Sequence, residues 1–145
     1  MGLILILIFR FFGLNQGISW TTDFDHAKEQ ATADQKLILL SFSGSDWCIP
    51  CIKMEETFFE DPEFKEVADI HFVLLKADFP RSKKNQLDLK QIKQNEKLAE
   101  KYNPDGIFPL TLIMTPSGKV LQKYEGLPKG NIADFIQSLN SILVK

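Results

Sequence analysis

Cysteine and histidine are scarce in this 145-residue chain, which has two of each: Cys48 and Cys51, His26 and His71. The scarcity excludes whole classes of chemistry. A structural zinc site takes four ligands, and the two histidines stand isolated, outside any metal-ligand spacing with the cysteine pair. With one cysteine pair there is no disulfide framework either. Charge of one sign is also lacking: 17 Lys and Arg against 19 Asp and Glu leave a net charge of −2, which gives no reason to expect nucleic acid or an anionic membrane surface as partner. Internal repeats and low-complexity tracts are absent, and no unbroken apolar run reaches the ~20 residues of a membrane-spanning helix.

What is present fits one folded domain. The length lies in the common single-domain range, and 44% hydrophobic residues with twelve phenylalanines argue against disorder.

Both cysteines lie in Ser43-Gly44-Ser45-Asp46-Trp47-Cys48-Ile49-Pro50-Cys51, as Cys-x-x-Cys. Before them, Lys36-Leu37-Ile38-Leu39-Leu40-Ser41-Phe42 suits a buried strand; after them, residues 52–59 place apolar side chains at helical spacing. The pair is thus expected at a strand-to-helix junction, where unpartnered N–H groups and the positive end of the helix dipole favour a thiolate at Cys48. Such surroundings lower a cysteine pKa from about 8.5 to roughly 3.5–7.5. Cys48 would open a disulfide, and Cys51, one turn on and less exposed, would resolve the mixed intermediate. Pro50 fits the first helical turn, and Trp47 is expected to shield one side of the sulfurs. A purely structural disulfide here closes too small a loop to stabilise much. Two further readings stay open: a binding module whose cysteines are incidental, and a metal-delivery protein using Met54.

The chain begins with the apolar block Met1-Gly2-Leu3-Ile4-Leu5-Ile6-Leu7-Ile8-Phe9 and passes Arg10 into Phe11-Phe12. Residues 1–17 read as a secretory signal and 18–145 as the mature domain, with no membrane span retained. A short strand is expected at 18–20. Thr22 then opens a helix in a capping-box-like pattern with Asp25, with Phe24, Ala27, Ala31 and Leu37 inward and His26 on the surface. Glu60-Asp61-Pro62 breaks and restarts the active-site helix, with Asp61 as cap. Residues 71–78 read as a central strand with His71 at its start. After a loop at 79–85, Leu87, Leu89, Ile92, Leu98 and Tyr102 mark a long helix, whose cations continue the Arg81-Lys83-Lys84 cluster along a solvated face. Residues 109–114 and 120–124 flank Thr115-Pro116-Ser117-Gly118-Lys119 as an antiparallel hairpin. From Gly130-Asn131 a last helix packs Ile132, Phe135, Ile136, Leu139 and Ile142 inward. The order predicts an α/β fold, a central mixed β-sheet with helices on both faces.

From about Trp20 onward the chain resembles the thioredoxin superfamily, and more narrowly its extracytoplasmic bacterial members that carry Ser-Gly-Ser-Asp-Trp-Cys-x-x-Cys. The resemblance rests on Trp47-Cys48-Ile49-Pro50-Cys51, the strand at 71–78, Gly106-Ile107-Phe108-Pro109-Leu110-Thr111 and the Pro116-Ser117-Gly118-Lys119 turn. It implies a thioredoxin fold and a thiol-disulfide oxidoreductase without bound cofactor or metal. Cys48 is then the nucleophile, Cys51 the resolving thiol and Pro109, after Phe108, a cis-proline facing the dithiol. It also implies a periplasmic or secreted monomer, with protein disulfides as substrates and a thiol-disulfide protein as electron donor or acceptor. Two departures leave reductase against oxidase or isomerase open: Ser41 stands where the reductases have a buried aspartate, and Ile49-Pro50 replaces Gly-Pro.

Overall fold

Strand β2 (Leu37–Ser43) has nearly every side chain buried, as a strand packed on both faces requires. Its alternation sorts the core into two layers. Ile38, Leu40 and Phe42 point to one side of the sheet and Leu39 to the other. The computed structural model describes residues 18–144, so the expected signal at 1–17 lies outside the described residues.

Among these residues five strands form one sheet in the order β1-β3-β2-β4-β5. Strand β3 (Phe72–Asp78) runs parallel to β2 and to the two-residue β1 (Trp20–Thr21). On the other side of β2, β4 (Leu110–Met114) and β5 (Val120–Glu125) form the expected antiparallel hairpin. Its turn closes through Gly118, whose φ of 89° suits glycine.

Helices α1 (Phe24–Asp34) and α4 (Leu89–Tyr102) cover one face, where Ala27, Ala31, Leu98 and Tyr102 meet Ile38, Leu40 and Phe42. The other face carries α2 (Ile49–Met54), α3 (Pro62–His71) and α5 (Ile132–Leu143). There Met54, Phe58, Phe64, Phe135 and Leu139 pack on Leu39, Leu74 and Ile113. This is the mixed sheet with helices on both faces that the order of elements predicts.

Several details differ from the sequence reading. The first strand is Trp20–Thr21, not 18–20. Helix α1 is capped by Asp23, whose Oδ1 accepts from the His26 N–H at 3.0 Å. Thr22 is not the cap, and its carbonyl accepts from the Gln91 and Gln94 side chains instead. His71 ends α3 rather than starting β3, because the helix opened by Asp61 and Pro62 runs on to the strand. Leu89 is 74% exposed, since Asp88 caps α4 and Leu89 falls in its outward-facing first turn. The buried polar residue of that helix is Asn95, which donates to the Asp78 carbonyl at 2.9 Å.

The helix after the dithiol is also not α-helical throughout. Residues Glu55–Phe59 form a π-turn, closed by the Glu60 N–H to the Glu55 carbonyl at 2.9 Å. The extra residue per turn lets neighbouring Phe58 and Phe59 both face inward.

Candidate active site

Strand β2 leads directly into Gly44, and Cys48 caps the helix that follows. The Cys48 Sγ accepts from the Cys51 N–H at 3.3 Å, and the Gly44 N–H donates to the Cys51 Sγ at 3.4 Å. The Cys48 sulfur therefore receives one of the backbone donors that a helix start leaves unpaired, and the Cys51 sulfur one from the loop after β2. Cys48 and Cys51 are joined as a disulfide with Cα atoms 5.2 Å apart. Both are buried, at 5% and 3% exposure, so the difference between them is slight. Beside them Ile49 is 78% exposed and Pro50 is also at the surface, in the first turn of α2.

Trp47, next to Cys48 in the chain, is held in place by neighbours from two other segments. Its Nε1–H donates to the Phe79 carbonyl at 2.7 Å, and its ring meets Phe108 edge-on, centroids 5.6 Å apart. Phe79 in turn meets Phe108 at 5.5 Å. Gly44 makes room for this arrangement, since a Cβ there would collide with the Trp47 indole. The Phe108–Pro109 peptide bond is cis. Pro109 is buried and directly precedes Leu110, the register partner of Phe42 near the end of β2. The two segments that carry Cys48 and Pro109 thus meet at one end of the sheet.

Asp46 is engaged by the 81–85 segment. Its carboxylate accepts from the Arg81 and Ser82 N–H groups, at 2.9 and 2.8 Å, and from Asn85 Nδ2 at 3.1 Å. The Arg81 N–H, with Asn85 and Ser82 adding to it, holds its carboxyl below the usual aspartate range. Asp78 is engaged in the same way, accepting from the Ser45 N–H and hydroxyl and from the Phe79 N–H. Lys53 is exposed on α2.

Ser41 is buried in β2, with Lys76 and Thr111 as its register partners. The Thr111 hydroxyl is buried without a hydrogen-bond partner. Lys76 turns to Glu55, Nζ to Oε2 2.6 Å, and lies 4.4 Å from the centre of the Trp20 ring. No cluster of three or more His, Cys, Asp or Glu side chains able to hold a metal occurs among the described residues.

The structure thus joins Cys48 to Cys51 and sets Trp47 against Phe108, with Pro109 at the same end of the sheet. The sequence reading missed the tether from Asp46 to the 81–85 loop and the stacking of Arg81 on Trp47, with guanidinium carbon 3.6 Å from the ring centre. No local pattern signals either, because the partners are more than thirty residues apart. The single sequence clue was Arg81 itself, read there as part of a solvated cluster.

Comparison with known proteins agrees with this geometry. Residues 19–116 match the family described as Thioredoxin-like. The chain is 33% identical over 126 residues to disulfide bond reductase DsbH of Chlamydia pneumoniae, covering 87% of this chain and 73% of that protein. It is 28% identical over 88 residues to thioredoxin-related protein DsbJ of the same organism, covering 61% of this chain and a quarter, 25%, of that protein. A solved structure of a DsbH oxidoreductase superposes with a TM-score of 0.77 at 32% identity, over 88% of this chain and 85% of the other. A thioredoxin from Thermus thermophilus shares the fold, with a TM-score of 0.66 at 18% identity over 89% of each chain. A Cys-x-x-Cys pair at the N-cap of the first helix after β2 and a match over most of the chain lead to one conclusion: the protein belongs to the thioredoxin-like family and is a thiol-disulfide oxidoreductase.

Proposed function

We propose that the protein reduces disulfide bonds in other proteins, outside the cytoplasm of a bacterium, as a monomer. The observation that carries the direction is the 33% identity, across 87% of the chain, to a protein named as a disulfide bond reductase. The placement rests on the apolar block at 1–17, read as a signal.

Cys48 is the nucleophile. As the thiolate favoured at a helix start, it attacks one sulfur of the substrate disulfide. The bond's electron pair leaves on the other sulfur, which takes a proton from water. Cys51 then gives up its proton and attacks the Cys48 Sγ, releasing the second substrate thiol and leaving the Cys48–Cys51 disulfide. That oxidised state is the one seen here. A dithiol donor protein returns two electrons and two protons. Trp47, Phe108 and Pro109 form the wall against which the substrate chain lies, and Pro50 starts the helix that presents Cys48.

Redox titration of the full chain in glutathione buffers tests the direction, with Cys48→Ser as control. A potential near about −270 mV is expected, whereas about −120 to −180 mV would make the protein an oxidase or isomerase. Absence of any reversible two-electron step would remove the redox reading altogether.

A further inference from the structure

We propose that Arg81 is a specificity-determining residue that favours substrate disulfides flanked by acidic side chains. The inference rests on the oxidoreductase reading and adds the chemistry of its substrate.

The guanidinium carbon of Arg81 lies over the Trp47 ring, 3.6 Å from its centre, and Trp47 directly precedes the nucleophilic Cys48 in the chain. This places a permanent positive charge on the lip of the dithiol. It is held there from two sides. The Arg81 backbone N–H is bound by Asp46, and Trp47 is bound to the Phe79 carbonyl. The Arg81 backbone and the Trp47 platform are therefore both anchored before any substrate arrives.

None of the nearby carboxylates pairs with the guanidinium. Asp46 faces three N–H donors of the 81–85 segment, and Asp78 faces donors from Ser45 and Phe79. Among the described residues no carboxylate forms an ion pair with Arg81. The further charges of the same segment, Lys83 and Lys84, are cations too. Next to Cys48 in the chain, Ile49 is 78% exposed. A peptide reaching Cys48 past Trp47 meets the cation stacked there, and the charge that matches it is an Asp or Glu beside the substrate cysteine.

A purely structural stacking of Arg81 on Trp47 would change stability and would slow all substrates alike. Charge selection changes their ratio. The test uses the full chain, reduced beforehand, in single-turnover stopped-flow reactions with three peptide disulfides that differ only in Glu, Gln or Lys next to the cysteine. The expected order is Glu over Gln over Lys, with each step about three- to fivefold at low salt, the upper range of an exposed ion pair. The spread should shrink below about twofold near 1 M salt, where screening acts within a few ångströms. Arg81→Gln should abolish the preference and Arg81→Glu should invert it. Equal rates for the three peptides, or a spread unchanged in Arg81→Gln, overturn the proposal while the oxidoreductase reading stands. If none of the peptides is reduced, that reading falls and this inference with it.

Discussion

Gly44→Ala is the most informative single substitution in this protein, because its effect belongs to one named neighbour. A methyl group at residue 44 would occupy the space of the Trp47 indole. The indole must swing out. It then loses the hydrogen bond to the Phe79 carbonyl at 2.7 Å, worth about 1 kcal/mol. It also loses the edge contact with Phe108, worth about 0.5–1.5 kcal/mol, and the Arg81 stacking, worth about 0.5–1 kcal/mol. Against these losses, replacing a glycine restricts the unfolded chain and stabilises by about 0.4–1 kcal/mol. The net expectation is a loss of about 2 kcal/mol, or roughly 8 °C in Tm for a domain of this size. Thermal melts of the oxidised protein measure it, and a double-mutant cycle assigns it. In a Trp47→Ala background the same glycine substitution should be neutral or slightly stabilising. If it costs as much there as in the wild type, the clash with Trp47 is not its cause and the account of the dithiol wall is wrong.

Three further outcomes follow from the same geometry. Cys51→Ala should accumulate a mixed disulfide between Cys48 and substrate protein, visible on a non-reducing gel and by mass spectrometry. Accumulation in Cys48→Ala instead would reverse the assigned roles. The Asp46 carboxyl is depressed chiefly by the Arg81 N–H, so its tether is complete above the unfolded aspartate pKa of about 3.9 and is lost only as pH falls through the lower folded value. Amide exchange at Arg81 and Ser82 should therefore show constant protection of this loop from pH 8 to 5 and a loosening only below about pH 4; a transition near neutrality would rule the tether out. Asn131→Ala removes the side chain that caps α5 in a capping box with Asp134 and should cost about 1 kcal/mol, read as a fall in the urea midpoint without change in slope.

Much of the fold was legible because its signals are local. The run from Leu37 to Phe42, the stripe of α5 and the hairpin turn each carry their own period or turn chemistry, and tertiary packing agreed with them. Helix starts were less legible. Thr22 and Asp23 both have capping side chains, and the cap is Asp23, whose carbonyl accepts the first helical bond from Ala27 and whose Oδ1 accepts from the His26 N–H. His71 and Leu89 were misplaced for a related reason, since a boundary residue's surroundings depend on where the neighbouring element stops. The π-turn at Glu55–Phe59 has no sequence mark beyond two adjacent phenylalanines, both of which the core accepts.

By itself the sequence determined the dithiol, its strand-to-helix setting and the proline that follows Phe108, because each of these depends on neighbours along the chain. Only the tertiary structure decided what surrounds the sulfurs. Asp46 reads only as part of the motif before Cys48, and the fold turns it onto the backbone of residues 81–82. Arg81 reads as one cation in a solvated cluster, yet the same contact lays it on Trp47. Charge acts through space with a strength set by distance and burial, and distances between residues more than thirty positions apart exist only once the sheet has formed.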